Sequence, residues 1–409
     1  MKVLVVGSGG REHALAWKLA QSRRLTELHA APGNPGIASL GPCHPVRPDD
    51  AEGLLALAHS LELDLVVIGP EAPLVAGVAD ELRLAGVPVF GPSAAAARIE
   101  GSKRFAKEVL EAADVPAPEA LAVARPPCVV KADGLAAGKG VFVCRTQDEL
   151  DEALRAVSAL GDDFVVEALV EGEEVSLFAI SDGSRALALA PAQDFKRAFD
   201  GDEGPNTGGM GAYSPVPLPG LDPQELVERI HEPVLAELAR RDAPFVGLLY
   251  AGLMLTTDGP RVLEFNCRFG DPETQAILPR LDGDFLGALA GAAAGDLGSA
   301  SLSATEDAAV TIVVAAAGYP AGSDSGSPIE GVEAAQEAGA LVFHAGTALR
   351  DGRLVTNGGR ILAVTCVGGS IAEARERAYA AAELISLPGA RFRHDIAAVA
   401  AQREARVGG

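Results

Sequence analysis

The 409-residue sequence predicts a chain of mixed α/β and α+β class: a parallel sheet at the N-terminus, a central core around a glycine-rich loop, and a small α+β piece at the C-terminus. Three observations carry this expectation. Apolar runs alternate with helical segments through roughly the first 90 residues, the pattern of βαβ units. Two short apolar strands frame the glycine-rich run Val129–Val141. A second pair of strands, Val246–Thr256 and Arg261–Asn266, meets at the turn Asp258-Gly259, a hairpin dipeptide.

In chain order, Val3–Val6 reads as a strand, Arg11–Gln21 as a helix and Leu28–Ala31 as a short strand. Ala51–Ser60 is a helix, Leu65–Ile68 a strand, Val75–Ala85 a helix and Val87–Phe90 a strand. Loops after the strand ends in such sheets are where ligands bind. A linking helix, Ser102–Ala112, leads to the strands Cys128–Ala132 and Val141–Cys144, a helix at Asp148–Val157, and strands at Phe164–Glu167 and Val175–Ile180. A helix at Pro223–Arg240 precedes the hairpin. The small and polar run Ala321–Ser327 reads as a linker; Ala340–His344, Arg360–Cys366 and a helix at Ile371–Ser386 close the chain. The expected divisions are 1–100, 101–122 (the linking helix), 123–181, 182–320 and 321–409.

Composition narrows the function. A net charge of −22 disfavours a nucleic-acid binder, which needs a basic surface. No run of about 18 apolar residues suggests a membrane span, and no cleavable signal is evident, so a cytoplasmic protein is expected; separately, a monomer is the expected state. Five scattered cysteines without a Cys-x-x-Cys pair support neither a zinc site nor a disulfide framework. Only seven lysines occur, and Lys131 and Lys139 flank the glycine-rich loop.

Gly7-Ser8-Gly9-Gly10-Arg11-Glu12 is a poor dinucleotide fingerprint: Glu12 occupies the third glycine position, and no acid ends the second strand. A nicotinamide cofactor is therefore disfavoured, although the backbone at the helix start suits one phosphate. Lys131–Val141, with Gly134, Gly138 and Gly140, is not a Walker loop, because a strand follows it; it reads as a mobile lid over nucleotide phosphates. Glu167–Glu174 offers hinge backbone for an adenine edge and a later acid for ribose hydroxyls. Gln193–Arg197 and Gly204–Ser214 form a long glycine-rich region of the functional kind. Strand period puts Glu264, Asn266 and Arg268 on one face. A carboxylate and an amide oxygen suit Mg²⁺, and the arginine suits a phosphoryl group or carboxylate. The turn Thr356–Arg360 is equally well explained by hairpin chemistry or a part in the site.

Together these motifs resemble the phosphoribosylamine–glycine ligase family of the ATP-grasp superfamily over nearly the whole chain. The resemblance rests on Gly9–Ala14, Ala31–Asn34, Gly69–Leu74, Glu100–Lys103, Lys131–Gly140, Pro205–Gly211 and, most specifically, Arg268–Gln275. It implies a Rossmann-like N-terminal domain, an ATP-grasp core of mobile lid and central catalytic subdomain, and a C-terminal domain. The implied reaction joins glycine to 5-phosphoribosylamine through glycyl phosphate, with ATP as co-substrate and Mg²⁺ or Mn²⁺ as metal. Carried onto this chain, Lys103 and Lys131 contact ATP phosphates, and Asp133, Gly134, Gly138, Lys139 and Gly140 belong to the lid. Glu167, Ala168, Leu169, Val170 and Glu174 hold the nucleoside, and Glu264 and Asn266 the metal. Arg268, Asp194, Asp271 and Glu273 serve the phosphoryl group, glycine and the amine. Gly10, Arg11, Asn34 and Glu71 surround the phosphoribosyl group, and Gly9, Asn206, Gly208, Gly209 and Arg360 are further substrate-binding candidates. The chain departs from the family in short connections at Ala120–Cys128 and Ser158–Asp163, and in lacking an acid on Leu249–Met254, where a further metal ligand would stand. Two alternatives remain: another ATP-grasp carboxylate–amine ligase of purine metabolism, or a non-catalytic nucleotide-binding regulator, which would be expected to have lost Glu264, Asn266 or a lid lysine.

Overall fold

The computed structural model describes residues 1–135, 140–161, 163–218 and 220–407. Lys2–Gly7 pairs in parallel with Glu27–Pro32 on one side and Leu65–Ile68 on the other, and Val89–Phe90 extends the sheet. The apolar runs are buried on both faces, which is why they read as continuous rather than alternating. The expected helix Val75–Ala85 is two helices, Glu71–Val75 and Val78–Leu84. Gly77 lies between them at φ +89, a conformation that a helix cannot continue through. A further helix, Ala94–Gly101, is capped by Ser93 and turns directly into the linking helix Lys103–Ala112.

The lid sheet has the order 141–144, 128–132, 164–168, all antiparallel. The helix Gln147–Leu160 packs on it, started by a Thr146/Glu149 capping box. Cys128, Cys144, Val130 and Leu150 belong to its small separate core. The central sheet runs 259–266, 246–256, 173–182, 186–188. Helix Pro223–Arg240 starts where the sequence places it, with Asp222 as N-cap and proline at its first turn.

A third sheet joins 193–194, 211–214, 308–315, 360–368 and 341–344. It draws strands from both sides of residue 321, where a division was expected. The expected linker 321–327 is corrected: Asp324–Pro328 is an edge strand paired with Arg353–Gly358. Its Asp-Ser-Gly-Ser-Pro sequence has no apolar alternation, because it covers no core.

The glycine-rich start of the first helix has a clear physical purpose. Glu12 is buried, and its Oε2 accepts the Gly9 N–H at 2.6 Å while Oε1 pairs with Arg11 Nε at 2.6 Å. A Cβ on Gly69 would stand 2.1 Å from Glu12 Oε1, and one on Gly7 2.6 Å from Glu12 Cγ. The glycines make room for this internal carboxylate, and the helix start that seemed suited to phosphate is already capped by it. Glu12→Ala leaves Arg11 and the Gly9 amide without this partner and should cost about 3 kcal/mol. Urea unfolding followed by Trp17, the only tryptophan and a residue of the same helix, measures this. An unchanged midpoint would refute the structural role.

Candidate functional site

A cleft of about 1730 Å³ opens between the lid sheet, the central sheet, the loop around 193–208 and the C-terminal segment around 393–403. The strand ending at Asn266 crosses its floor. Phe265, Cys267 and Phe269 are buried in the cores, whereas Glu264, Asn266 and Arg268 line the cleft, as strand period requires.

Each of these polar groups is held. Glu264 Oε2 lies 3.1 Å from Lys103 Nζ, and Oε1 lies 3.9 Å from Lys196 Nζ. Lys103 above all, against the cost of burial and with help from Lys196 and Lys131, keeps the Glu264 carboxyl well below the usual carboxylate range. Arg268 donates to Glu71 Oε2 at 3.1 Å, Glu100 Oε1 at 3.0 Å, the Phe269 carbonyl at 3.2 Å and Asn266 Oδ1 at 3.3 Å. Burial works against its charge, but Glu100 and Glu71 outweigh burial and hold its pKa above the normal arginine range.

The lysines share this pattern. Lys131 Nζ sits 2.8 Å from Glu167 Oε2 and donates to the Leu263 carbonyl at 2.7 Å. Lys107 Nζ takes the other oxygen of Glu167 at 2.9 Å. Glu167 is thus a buried counterion for two lysines, and it also lines the cleft. Ala168 N–H is taken by the Glu119 carbonyl at 2.9 Å, while Leu169 and Val170, past the strand end, line the cleft. Glu174 also lines it, 3.1 Å from Lys196 Nζ.

Three acids were candidates for the amine groups, and their surroundings differ. Glu273 is buried and accepts from Tyr250 at 2.8 Å, which shares a 2.8 Å bond with Ser176. Asp271 is held by Gln275 at 2.8 Å and Arg360 at 3.2 Å. Asp194 alone of the three has no side-chain hydrogen bond or ion pair among the described residues. Removal from water raises its pKa to about 7; Lys196 opposes the rise, and Glu273, Glu174 and Glu264 add to it.

The remaining candidates divide. Arg11, Glu71, Asn206, Gly208, Arg360, Gly134 and Gly140 line the cleft. Gly9, Gly10, Asn34, Gly209 and Asp133 are not among its lining residues. Asn34 is committed internally, donating to the Ser8 and His344 carbonyls at 2.8 Å each and accepting from Ile37 N–H at 3.0 Å. Asp133 accepts from Ser102 Oγ at 3.2 Å and from Lys103 N–H, tying the lid root to a helix start. Arg360 donates to the Asp271 carbonyl at 2.7 Å, the Gly209 carbonyl at 3.3 Å and the Gly208 carbonyl, joining two loops. Gly138 and Lys139 lie outside the described residues. Sequence reasoning missed Tyr250 and the 393–403 segment as site components. Glu100 and Lys196 stood in noted runs but had no role assigned.

One carboxylate and one amide oxygen on adjacent cleft-facing positions fit a hard divalent cation that keeps water and phosphate oxygens as its other ligands. No group of three or more His, Cys, Asp or Glu residues able to hold a metal occurs among the described residues. The donor set therefore matches a nucleotide-borne ion better than an independent metal centre.

Residues 1–100, 101–274 and 309–399 match the N domain, the ATP-grasp (A) domain and the C domain of phosphoribosylglycinamide synthetase. The chain is 53% identical over 420 residues to the phosphoribosylamine–glycine ligase of Streptomyces coelicolor, covering 98% of this chain and 100% of that one. It is 49% identical over 427 residues to that of Brucella melitensis, covering 99% of each. The crystal structure of phosphoribosylamine–glycine ligase from Thermotoga maritima superposes with a TM-score of 0.82 at 33% identity, covering 97% of this chain and 100% of that one. The biotin carboxylase domain of 2-oxoglutarate carboxylase from Hydrogenobacter thermophilus has a TM-score of 0.68 at 18% identity, covering 95% and 91% of the two chains; it shares the fold alone.

Proposed function

We infer the reaction from the premise that this chain belongs to the phosphoribosylglycinamide synthetase family. It is an ATP-dependent carbon–nitrogen ligase of the ATP-grasp fold, joining glycine to 5-phosphoribosylamine to give glycinamide ribonucleotide, ADP and phosphate in purine synthesis. The observation that carries the division of labour is the cleft-facing row Glu264, Asn266 and Arg268, opposite Lys103, Lys131 and Lys196.

In this reading a glycine carboxylate oxygen attacks the γ-phosphorus of ATP. The new O–P bond forms as the bond to the β-phosphate oxygen breaks, and ADP leaves. The amine of phosphoribosylamine then attacks the acyl carbon; the C–O bond to phosphate breaks, phosphate departs, and the new amide nitrogen loses a proton. Positioning and charge stabilisation do most of this work. Lys103 and Lys131 meet the nucleotide phosphates, Gly134 at the lid root borders them, and Leu169 and Val170 border the adenine. Arg268 faces the transferring phosphoryl group and the glycine carboxylate with a guanidinium held charged by Glu71 and Glu100. Glu264 and Asn266 would hold Mg²⁺ or Mn²⁺, which when bound neutralises nucleotide phosphate charge. Asp194, the open acid, receives the glycine ammonium. Arg11, Glu71 and Asn206 border the phosphoribosyl group. Among the described residues no helix is long and apolar enough to cross a membrane, consistent with work in the cytoplasm.

Glu264→Gln keeps the shape of the side chain and removes its charge. It should cut glycine-dependent ADP release by at least about a hundredfold while leaving the thermal midpoint nearly unchanged. Undiminished release in that variant would sink the metal assignment. Asp194 binds an ammonium only as carboxylate, so the glycine KM should rise as pH falls through about 7. Asp194→Asn should give a high KM that no longer changes over that range. A pH response retained by the variant would assign the ammonium to another group.

A further inference from the structure

The ladder that supports the catalytic strand ends at Asn266, whose partner is Tyr250. The next amide, Cys267 N–H, is buried and has no strand neighbour to accept it. Glu100 does so: its Oε2 accepts from Cys267 N at 2.8 Å, and its Oε1 accepts from Arg268 Nη2 at 3.0 Å. Glu100 is 5% exposed and comes from the end of the helix Ala94–Gly101, far from this strand in sequence. One carboxylate therefore fixes the backbone just before Arg268 and one edge of the guanidinium. A planar guanidinium held on two edges, by Glu100 at Nη2 and Glu71 at Nε, has its plane set. Without Glu100, Nη2 would keep only the longer, neutral contact to Asn266 Oδ1 at 3.3 Å and Nη1 the Phe269 carbonyl at 3.2 Å, leaving Glu71 at Nε as the one charged partner of the fork.

The same bend carries a second contact to the strand. Lys103 begins the next helix and reaches Glu264 at 3.1 Å. Asp133, at the lid root, holds Ser102 Oγ at 3.2 Å. The elbow 100–103 thus touches both charged residues of the catalytic strand and the base of the lid.

We propose that Glu100 is the positioning residue for Arg268: it touches no substrate, and it sets the direction in which the arginine charge faces the transferring phosphoryl group. This rests on the assignment of Arg268 made above. Because the effect is on alignment in the transition state, it acts on kcat rather than on nucleotide binding.

The test is a mutant cycle of Glu100→Gln, Arg268→Lys and the double variant, measuring kcat and the KM for ATP and glycine, with thermal melts alongside. Glu100→Gln keeps an acceptor for Cys267 N–H and loses the charge that holds Arg268. It should lower kcat by about tenfold to a hundredfold, with the ATP KM and the melting temperature nearly unchanged. Arg268→Lys should itself be impaired, and adding Glu100→Gln to it should cost little more, since the two act through one guanidinium. Glu100→Asp, which keeps the charge on a shorter arm, should recover part of the loss. If Arg268→Lys is impaired while Glu100→Gln keeps full kcat, or if the two losses multiply, the positioning role is overturned and the Arg268 assignment stands. If Arg268→Lys is fully active, the Arg268 assignment itself falls, and the positioning role with it.

Discussion

The two-residue period of one strand end governs the site. Between 264 and 269, every second side chain enters a hydrophobic core and the others face the cleft. Phe265 and Cys267 pack in one core and Phe269 in another, so the polar row is clamped from behind. A register slip of one residue would bury Glu264 and Arg268 and expose the aromatic rings, a change the packing strongly opposes. The precision available to Glu264, Asn266 and Arg268 is therefore inherited from the apolar residues between them. Glu100 extends this clamp past the point where strand pairing ends.

A chain of net charge −22 must still receive a polyphosphate, and the distribution of its seven lysines shows how. Lys103, Lys131 and Lys196 line the cleft, each against a carboxylate (Glu264, Glu167 and Glu174), and Lys107 shares Glu167 with Lys131. Pairing offsets the several kcal/mol that a buried cation costs without a partner, and at Lys196 the charge of Glu174 above all outweighs burial and pushes the ammonium pKa up. It also gives two classes of lysine. Lys131 is anchored by the buried Glu167 and the Leu263 carbonyl and stays in place. Lys103 and Lys196 instead lean on Glu264 and Glu174.

Much of this was legible because the local signals were strong. Asp222-Pro223 marks a helix start, the strand Leu65–Ile68 is one apolar run, and the alternation at 264–268 names the cleft face without help from the rest of the chain. What stayed hidden depends on distant partners. The helix Ala94–Gly101 is alanine-rich and shows no clear apolar period, so neither it nor the role of Glu100 could be read locally. The strand Asp324–Pro328 is polar because it pairs at an edge. The internal partners of Asn34 and Glu167 were equally hidden: one spends its amide on carbonyls of Ser8 and His344, and the other, while lining the cleft, pairs with two lysines. Asp194, Asp271 and Glu273 could not be ranked until their hydrogen-bond partners were known.

The central claim is that the cleft transfers the γ-phosphoryl of ATP to glycine and then couples the product to an amine. ADP release by the purified chain, with glycine and phosphoribosylamine omitted in turn, measures it most directly. The account predicts sustained ADP release only when both are present, with glycinamide ribonucleotide formed in equal amount. Sustained release at the full rate without glycine would contradict it, because no carboxylate would then be available to accept the phosphoryl group.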